Sequence, residues 1–352
     1  MRKLATIRKI DSIRPIPDAD AIECAVVGGW TVVIKKGDFK AGDLAIYCEI
    51  DSWIPHALAP FLSKGKEPRV FDGIVGERLR TMKLRGQLSQ GLLLPLIIKM
   101  GGNLLPTTRR IVSEGEDVSE ALGIVKYEAP VPACLAGKAR GMFPSFIPRT
   151  DQERIQNLTT EFAEWVSPGF PIMPTWEVTE KLDGSSMTVY VNEQDQGVCS
   201  RNLNLYDTEG NTLWQVAHRD QIITALQDSQ RNLAIQGELI GEGIQGNPYK
   251  IKGQSFYVFD IYEIDTGSYM TPTQRRDFCE FHELLHVPVI AFGAHLYDTL
   301  GMATIDSLLE FAEGKSELNP QTDREGLVFK CNEQQKSFKT ISNKYLLKHG
   351  DR

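Results

Sequence analysis

The chain has no run of about 18 consecutive apolar residues, the length a membrane-crossing helix needs, so no such helix is expected. Its opening residues, Met1-Arg2-Lys3-Leu4-Ala5-Thr6-Ile7-Arg8, carry charge too early and too often to form the apolar centre of a secretory signal. A protein of the cytoplasm, or of the nucleus in a eukaryote, is therefore expected. The six cysteines, Cys24, Cys48, Cys134, Cys199, Cys279 and Cys331, include no CxxC pair. Scattered in this way, they read as reduced, mostly buried thiols in a cytosol-like compartment. The glycine-rich stretch Gly237–Gly246 lacks the Gly-Lys-Ser/Thr ending of a P-loop and does not match GxGxxG between a strand and a helix. No internal repeat or low-complexity tract is present.

What is there is ordinary in bulk and uneven in charge. A length of 352 residues allows two domains, each with its own core. The net charge of −7 argues against indiscriminate binding to nucleic acid, but the charge is not evenly spread. Residues 1–100 hold 16 Lys/Arg against 11 Asp/Glu, whereas the remainder holds 23 against 35. The basic excess gathers in Lys64, Lys66, Arg69, Arg78, Arg80, Lys83 and Arg85. A local patch of this kind can grip phosphates while the whole chain stays acidic.

The first 100 residues read as a small β-barrel of the OB type, a fold that commonly binds oligonucleotides. Ile22–Val27 and Trp30–Ile34 are rich in branched residues and flank Gly28-Gly29, which predicts a hairpin. Gly37-Asp38 and Gly42-Asp43 punctuate the next segments, and Leu44–Ile50 and Gly91–Leu96 add further strands. The stretch Arg78-Leu79-Arg80-Thr81-Met82-Lys83-Leu84-Arg85 alternates basic and apolar residues, with a slip between Arg80 and Lys83. It would present Arg78, Arg80, Lys83 and Arg85 near one groove as the nucleic-acid contacts.

Residues 101–150 form an irregular linker, opened by Gly101-Gly102-Asn103 and studded with Pro130, Pro132, Pro144 and Pro148. A third region, 151–352, follows. A helix is expected from Asp151 as N-cap, with Ile155, Leu158, Phe162 and Val166 on one face. More helices are expected near 219–231, 272–286 (Thr271 cap, Pro272 at the first position) and 304–313. Cys279, His282 and His286 fall on one face of the second of these. Phe278, Phe281 and Leu285 share it and no fourth ligand is evident, so packing rather than zinc is the reading.

Five segments in this last region carry chemistry. Glu180-Lys181-Leu182-Asp183-Gly184 sits where a short strand turns sharply. Arg201-Asn202 follows at the end of a hairpin, then Gly237-Glu238-Leu239. Phe256–Ile261 is a run of aromatic and branched residues. Glu325-Gly326-Leu327-Val328-Phe329-Lys330 and Ser337-Phe338-Lys339 close the series. Taken singly, each has a plain reading: a turn, a strand end, a sheet core, a solvated edge charge. Their order and spacing together resemble the covalent nucleotidyltransferases, namely ATP-dependent RNA ligases, DNA ligases and mRNA capping enzymes.

DNA ligases and capping enzymes place their OB barrel after the nucleotidyl domain, whereas here only Lys344–Arg352 follow the last segment, too few for a barrel. The arrangement is similar to ATP-dependent RNA ligases with an N-terminal OB module. Gly42-Asp43-Leu44, Glu49-Ile50-Asp51 and Arg85–Gly91 resemble that module too. The resemblance implies an α+β protein, a barrel followed by an ATP-grasp-like ligase domain of antiparallel sheets with flanking helices. It implies an enzyme that joins a 3′-hydroxyl to a 5′-phosphate, at nicks with RNA on the 3′-OH side, for RNA repair. RNA or an RNA-containing nicked duplex is the implied partner, and a monomer the expected state.

The resemblance also implies roles. Lys181 would be the nucleophile that takes AMP from ATP, and Mg²⁺ or Mn²⁺ would assist. An ordinary lysine is protonated at neutral pH, so a positive surrounding would have to favour its neutral amine. Arg201, Lys330 and Lys339, with the metal, are the expected source. Asp183, Glu238 and Glu325 would serve metal and ribose, directly or through water. Glu180, Leu182, Gly184, Phe259 and Lys330 would contact the nucleotide, with Phe259 stacked on adenine and Glu180 at its edge. Lys339 would hold phosphates. Many relatives end on two lysines separated by one residue, but here Lys339 is followed by Thr340-Ile341, leaving Lys336 or Lys344 as a second lysine. Two other readings stay open at this point: a guanylyltransferase using GTP, and a nucleic-acid-binding protein without chemistry.

Overall fold

A computed structural model describes residues 3–96, 99–100, 103–104, 113–128, 137–167 and 173–349. Cys134 and the linker residues Gly101, Gly102, Pro130 and Pro132 lie outside the described residues. The chain divides into two compact units, Met1–Pro130 with Leu346–Arg352, and Val131–Tyr345.

Among the described residues, the sheets of the first unit are all antiparallel, with a short 3₁₀ turn at Pro60–Ser63. Strands Ala5–Lys9, Leu44–Cys48 and Leu92–Leu94 form one sheet with Leu44–Cys48 in the centre. Ser12–Pro15, Ile22–Val27 and Trp30–Lys35 form a meander. The hairpin at Gly28-Gly29 is as expected: Val27 pairs with Trp30, and Gly28 takes the positive φ of 58° such a turn needs. Trp30–Lys35 alternates buried residues with half-buried or exposed ones, the period-2 signature of a strand with one face on a core. Trp30 and Tyr47 fill that core, ring centres 5.9 Å apart, and the Tyr47 hydroxyl donates to the Gln90 carbonyl at 2.9 Å. The basic stretch also becomes a hairpin. Met82–Leu84 pairs with Gln87–Ser89, and Arg85-Gly86 form the turn with φ values of 49° and 82°.

The second unit holds two antiparallel sheets. The larger runs in the order Ala139–Met142, Leu203–Leu205, Gln196–Cys199, Ser185–Val191, Leu233–Gly241, Gln254–Glu263, Ser268–Tyr269. The smaller runs Val289–Ala294, Trp176–Lys181, Gly326–Cys331, Ser337–Ile341. Lys181 is therefore the last residue of a strand in the small sheet, and Ser185 the first of a strand in the large one. Leu182-Asp183-Gly184 is the crossing between them. A helix pair packs on the large sheet through Trp214, Val216, Ile222 and Leu226. The small sheet is filled by stacked rings of Trp165, Phe338 and Phe329.

Three helix expectations are corrected. Asp151 starts no helix. A short 3₁₀ turn spans Ile155–Asn157, and an α-helix occupies Thr159–Trp165. The reason is a competing sheet edge: Lys339 N–H donates to the Glu153 carbonyl at 2.7 Å, and Arg154 bridges Lys339 in parallel. The segment thus stays extended, as a strap along the edge strand. The 219–231 helix is instead two, Thr212–Arg219 and Ile222–Asp228, broken where Gln221 takes φ 52°. The helix from Pro272 has the expected Thr271 cap with a full capping box but ends at Phe281. His286 therefore lies beyond it, and its Nε2 accepts from Arg275 Nε at 3.0 Å. The Ile305–Phe311 helix stands as read.

A buried charge network ties the two sheets together. Arg275, 1% exposed, donates to Glu177 of the small sheet and lies 3.7 Å from Asp260 of the large one. Lys330 pairs with the same Asp260 at 2.6 Å. His286 sits against this cationic group. Burial and the nearby Arg275 push its pKa down to about 3, so it stays neutral.

Close backbone approach explains Gly326, directly after Glu325. A Cβ there would lie 2.1 Å from the Thr340 carbonyl oxygen of the neighbouring strand. Gly326→Ala should therefore spread two paired strands and cost about 1–3 kcal/mol, which a fall of several degrees in the thermal midpoint would report.

Candidate active site

The turn from one sheet to the other brings the reactive groups together. Gly184 is required by the space: a Cβ there would meet the Leu239 carbonyl at 2.4 Å and Glu238 Cγ at 3.0 Å. That close passage puts Glu238, paired in register with Ser186, against the Lys181–Gly184 segment. On the other side, Lys181 pairs in register with Gly326, which brings Glu325 beside it. Lys181 Nζ lies 2.7 Å from Glu325 Oε2, and its side chain is only 26% exposed.

The charge around this amine is the reverse of the expectation. Burial works to lower the Lys181 pKa, but Glu325, Glu238 and Asp183 outweigh it and hold it above the ordinary value. The amine is thus an ammonium in a nest of carboxylates. The cations expected to surround it are engaged elsewhere. Arg201, largely exposed, donates to both oxygens of Asp151 at 3.2 and 3.3 Å. Lys339 lies 4.0 Å from the same Asp151. Lys330 is buried against Asp260 and donates to the Phe259 carbonyl, and burial brings its pKa down to about 8.

The acids show the strain of crowding. Burial, with Glu325 and Asp183 nearby, pushes Glu238 up to about 8 although Lys181 opposes it. Asp183 is 7% exposed; its carboxylate accepts from the Tyr345 hydroxyl and its N–H donates to the Tyr249 hydroxyl at 2.6 Å. Glu180, buried at the end of the lysine strand, accepts from the Glu317 N–H at 2.8 Å. Burial raises its pKa despite that bond. Leu182, Ile240, Tyr249 and Val287 make an apolar cluster next to the turn, with half-buried Phe259 packed on it.

Among the described residues, no group of three or more His, Cys, Asp or Glu side chains forms a direct metal cluster. The donor set still suits a hard divalent ion held partly through water, because Asp183, Glu238 and Glu325 offer oxygen ligands only. Neither candidate second lysine joins the acids. Lys336 lies over the Trp165 ring at 5.8 Å, and Lys344 pairs with Asp323 at 3.4 Å. In the first unit, Arg78 pairs with Asp51 and lies 4.9 Å over the Tyr127 ring, whereas Arg80, Lys83 and Arg85 are exposed.

Asp151, Tyr249 and Tyr345 were not expected at the site. Asp151 reads from sequence as a helix cap. Tyr345 stands six residues beyond the last segment, where no pattern marks it.

Comparison with known proteins bears on these residues. An RNA ligase family model matches residues 174–346, and an OB-fold domain model matches residues 4–96. A solved RNA ligase of Naegleria gruberi with pyrophosphate is 47% identical, with 99% of each chain covered and a TM-score of 0.83. A variant of that ligase with ATP and Mn, also 47% identical, covers 99% of each chain at a TM-score of 0.84. Another with AMP and Mn is 46% identical over 99% of each chain, at a TM-score of 0.83. A comparison with curated proteins returns no match.

The raised Glu238 fixes a pH dependence. Its neutral form is favoured on folding, so its contribution to stability is full below the ordinary glutamate range and is lost as pH rises toward about 8. The protein without ligands should lose several degrees of thermal midpoint between pH 5 and 8, and Glu238→Gln should flatten that slope when melts are compared across the same range.

Proposed function

Because this chain belongs to the RNA ligase family, we propose that it seals 3′-hydroxyl and 5′-phosphate ends with ATP, at nicks with RNA on the 3′-OH side, by way of an AMP carried on Lys181. The observation that carries the reading is the three-quarters-buried Lys181 amine, 2.7 Å from Glu325, at a turn where Glu238 and Asp183 converge.

Lys181 Nζ attacks the α-phosphorus of ATP. A P–N bond forms, the bond to the bridging oxygen of pyrophosphate breaks, and pyrophosphate leaves. The amine must first lose a proton, and Glu325, already in contact, is placed to accept it. In the second step the 5′-phosphate oxygen at the nick attacks the same phosphorus, the P–N bond breaks and Lys181 regains its proton. In the third step the 3′-hydroxyl oxygen attacks the phosphorus of the adenylylated 5′-phosphate, a P–O bond forms, the P–O–P link to AMP breaks, AMP leaves as the anion and the hydroxyl proton passes to solvent.

Asp183, Glu238 and Glu325 would hold Mg²⁺ or Mn²⁺, largely through water. The bound ion would supply the positive charge that favours a neutral amine and stabilises the charge developing on phosphate oxygens. Glu180, Leu182, Gly184 and Phe259 would contact the nucleotide, with Phe259 against the adenine ring and Glu180 at its edge. Arg201 and Lys339 converge on one carboxylate, Asp151, so the same two cations suit phosphate oxygens. The exposed Arg80, Lys83 and Arg85 on the first unit are the proposed grip on the nucleic acid. The five described cysteines are free and buried, which fits a reducing compartment.

Incubation with ATP labelled at the α-phosphate and a divalent metal, without nucleic acid, should leave label on the denatured protein. Lys181→Ala should abolish it, and label retained in that variant overturns the assignment. GTP labelled in the same way should give none; preferential labelling by GTP would favour guanylyl transfer instead. Replacing Arg80, Lys83 and Arg85 together by alanine should leave this labelling intact and weaken nick sealing. The dependence of binding on salt should then fall by roughly one unit of log–log slope per lost phosphate contact.

A further inference from the structure

We propose that Tyr345 is a positioning residue for adenylylation of Lys181, acting through the carboxylate of Asp183; the inference rests on the ligase reading above. Three carboxyl groups converge on a single ammonium here, and side chains packed this closely hold their places only through specific hydrogen bonds. Each acid therefore needs a fixed donor to keep its place. For Glu325 the Lys181 amine supplies one at 2.7 Å. For Asp183 the donor is the Tyr345 hydroxyl, bonded to Oδ2. Both partners are buried, Tyr345 at 5% and Asp183 at 7% exposure, so the bond is little competed for by water.

The way Tyr345 is carried supports a built arrangement. Ser342 follows directly on the Ser337–Ile341 strand, and its N–H donates to the carbonyl of Glu325 at 2.9 Å. Its hydroxyl accepts the Tyr345 N–H at 3.1 Å, which caps the helix Asn343–His349. One four-residue connector thus anchors the backbone of Glu325 at its start and the side chain of Asp183 at its end. Tyr249 completes the hold by accepting the Asp183 N–H. Asp183 is pinned at backbone and carboxylate by two phenols from distant parts of the chain.

A buried tyrosine also packs, and its hydroxyl finds some partner wherever it lies. The two roles separate in the kinetics. A group that only packs changes stability, and changes activity only through it. A group that aims a carboxylate at the reacting centre changes the rate of the chemical step at saturating nucleotide.

The test is Tyr345→Phe in the full chain, which keeps the ring and removes the hydroxyl. Label uptake from α-labelled ATP is measured as a rate and as a half-saturating ATP concentration. Variant and unchanged protein are each assayed about 20 °C below their own thermal midpoint, so that lost stability is matched. The expected result is a fall in saturating rate of about fivefold or more with the ATP half-saturation held within about twofold. A smaller fall in rate overturns the proposal, as does a deficit that vanishes under matched conditions. A rise in half-saturating ATP that accounts for the whole loss also overturns it, because Tyr345 would then serve binding alone. If the unchanged protein takes up no label, the ligase reading itself fails and the inference falls with it.

Discussion

An ammonium held among carboxylates at a crossing between two sheets is the constraint around which the second unit is built. Lys181 ends a strand of the small sheet, Ser185 begins a strand of the large one, and only three residues lie between. Glu238 arrives from the large sheet, Glu325 from the small one, and Asp183 from the crossing itself. The amine would be costly to bury without the acids, and Glu238, itself buried and raised to about 8, gains from having the amine beside it. Glycines at 184 and 326 let the neighbouring backbones approach closely enough for this. Charge, backbone geometry and sheet topology therefore specify one another.

That same balance describes a resting state. The amine is protonated by its surroundings, and the proposed attack on ATP requires an incoming positive charge to take over the acids. The cations of the site, Arg201 and Lys339, are meanwhile turned toward Asp151, where an anionic oxygen already stands.

Much of the architecture was legible in the sequence because it rests on local rules. Gly28-Gly29 between two β-branched runs predicts its hairpin, and Thr271-Pro272 predicts its helix start. The Lys181–Gly184 turn is marked by Asp-Gly. What was not legible depends on partners far along the chain. Asp151 has every local mark of a helix cap, yet the edge of the strand carrying Lys339 captures its segment as an extended strap. The surroundings of Lys181 are acidic rather than basic because Arg201 and Lys330 find closer partners, Asp151 and Asp260, which spacing alone does not reveal. Tyr345 belongs to no periodic pattern and is identified only once its hydroxyl is seen on Asp183.

The strap has a further meaning for how the catalytic unit is delimited. Glu153 and Arg154, well before Lys181, are joined by main-chain contacts to Lys339, near the other end of the unit. Gln152 and Ser337 are joined through their side chains. Beginning and end are stitched into one seam. The residues ahead of Lys181 are thus no mere tether, and a fragment trimmed to the recognisable segments alone would leave the backbone along one border without its mate and the last lysine without its footing.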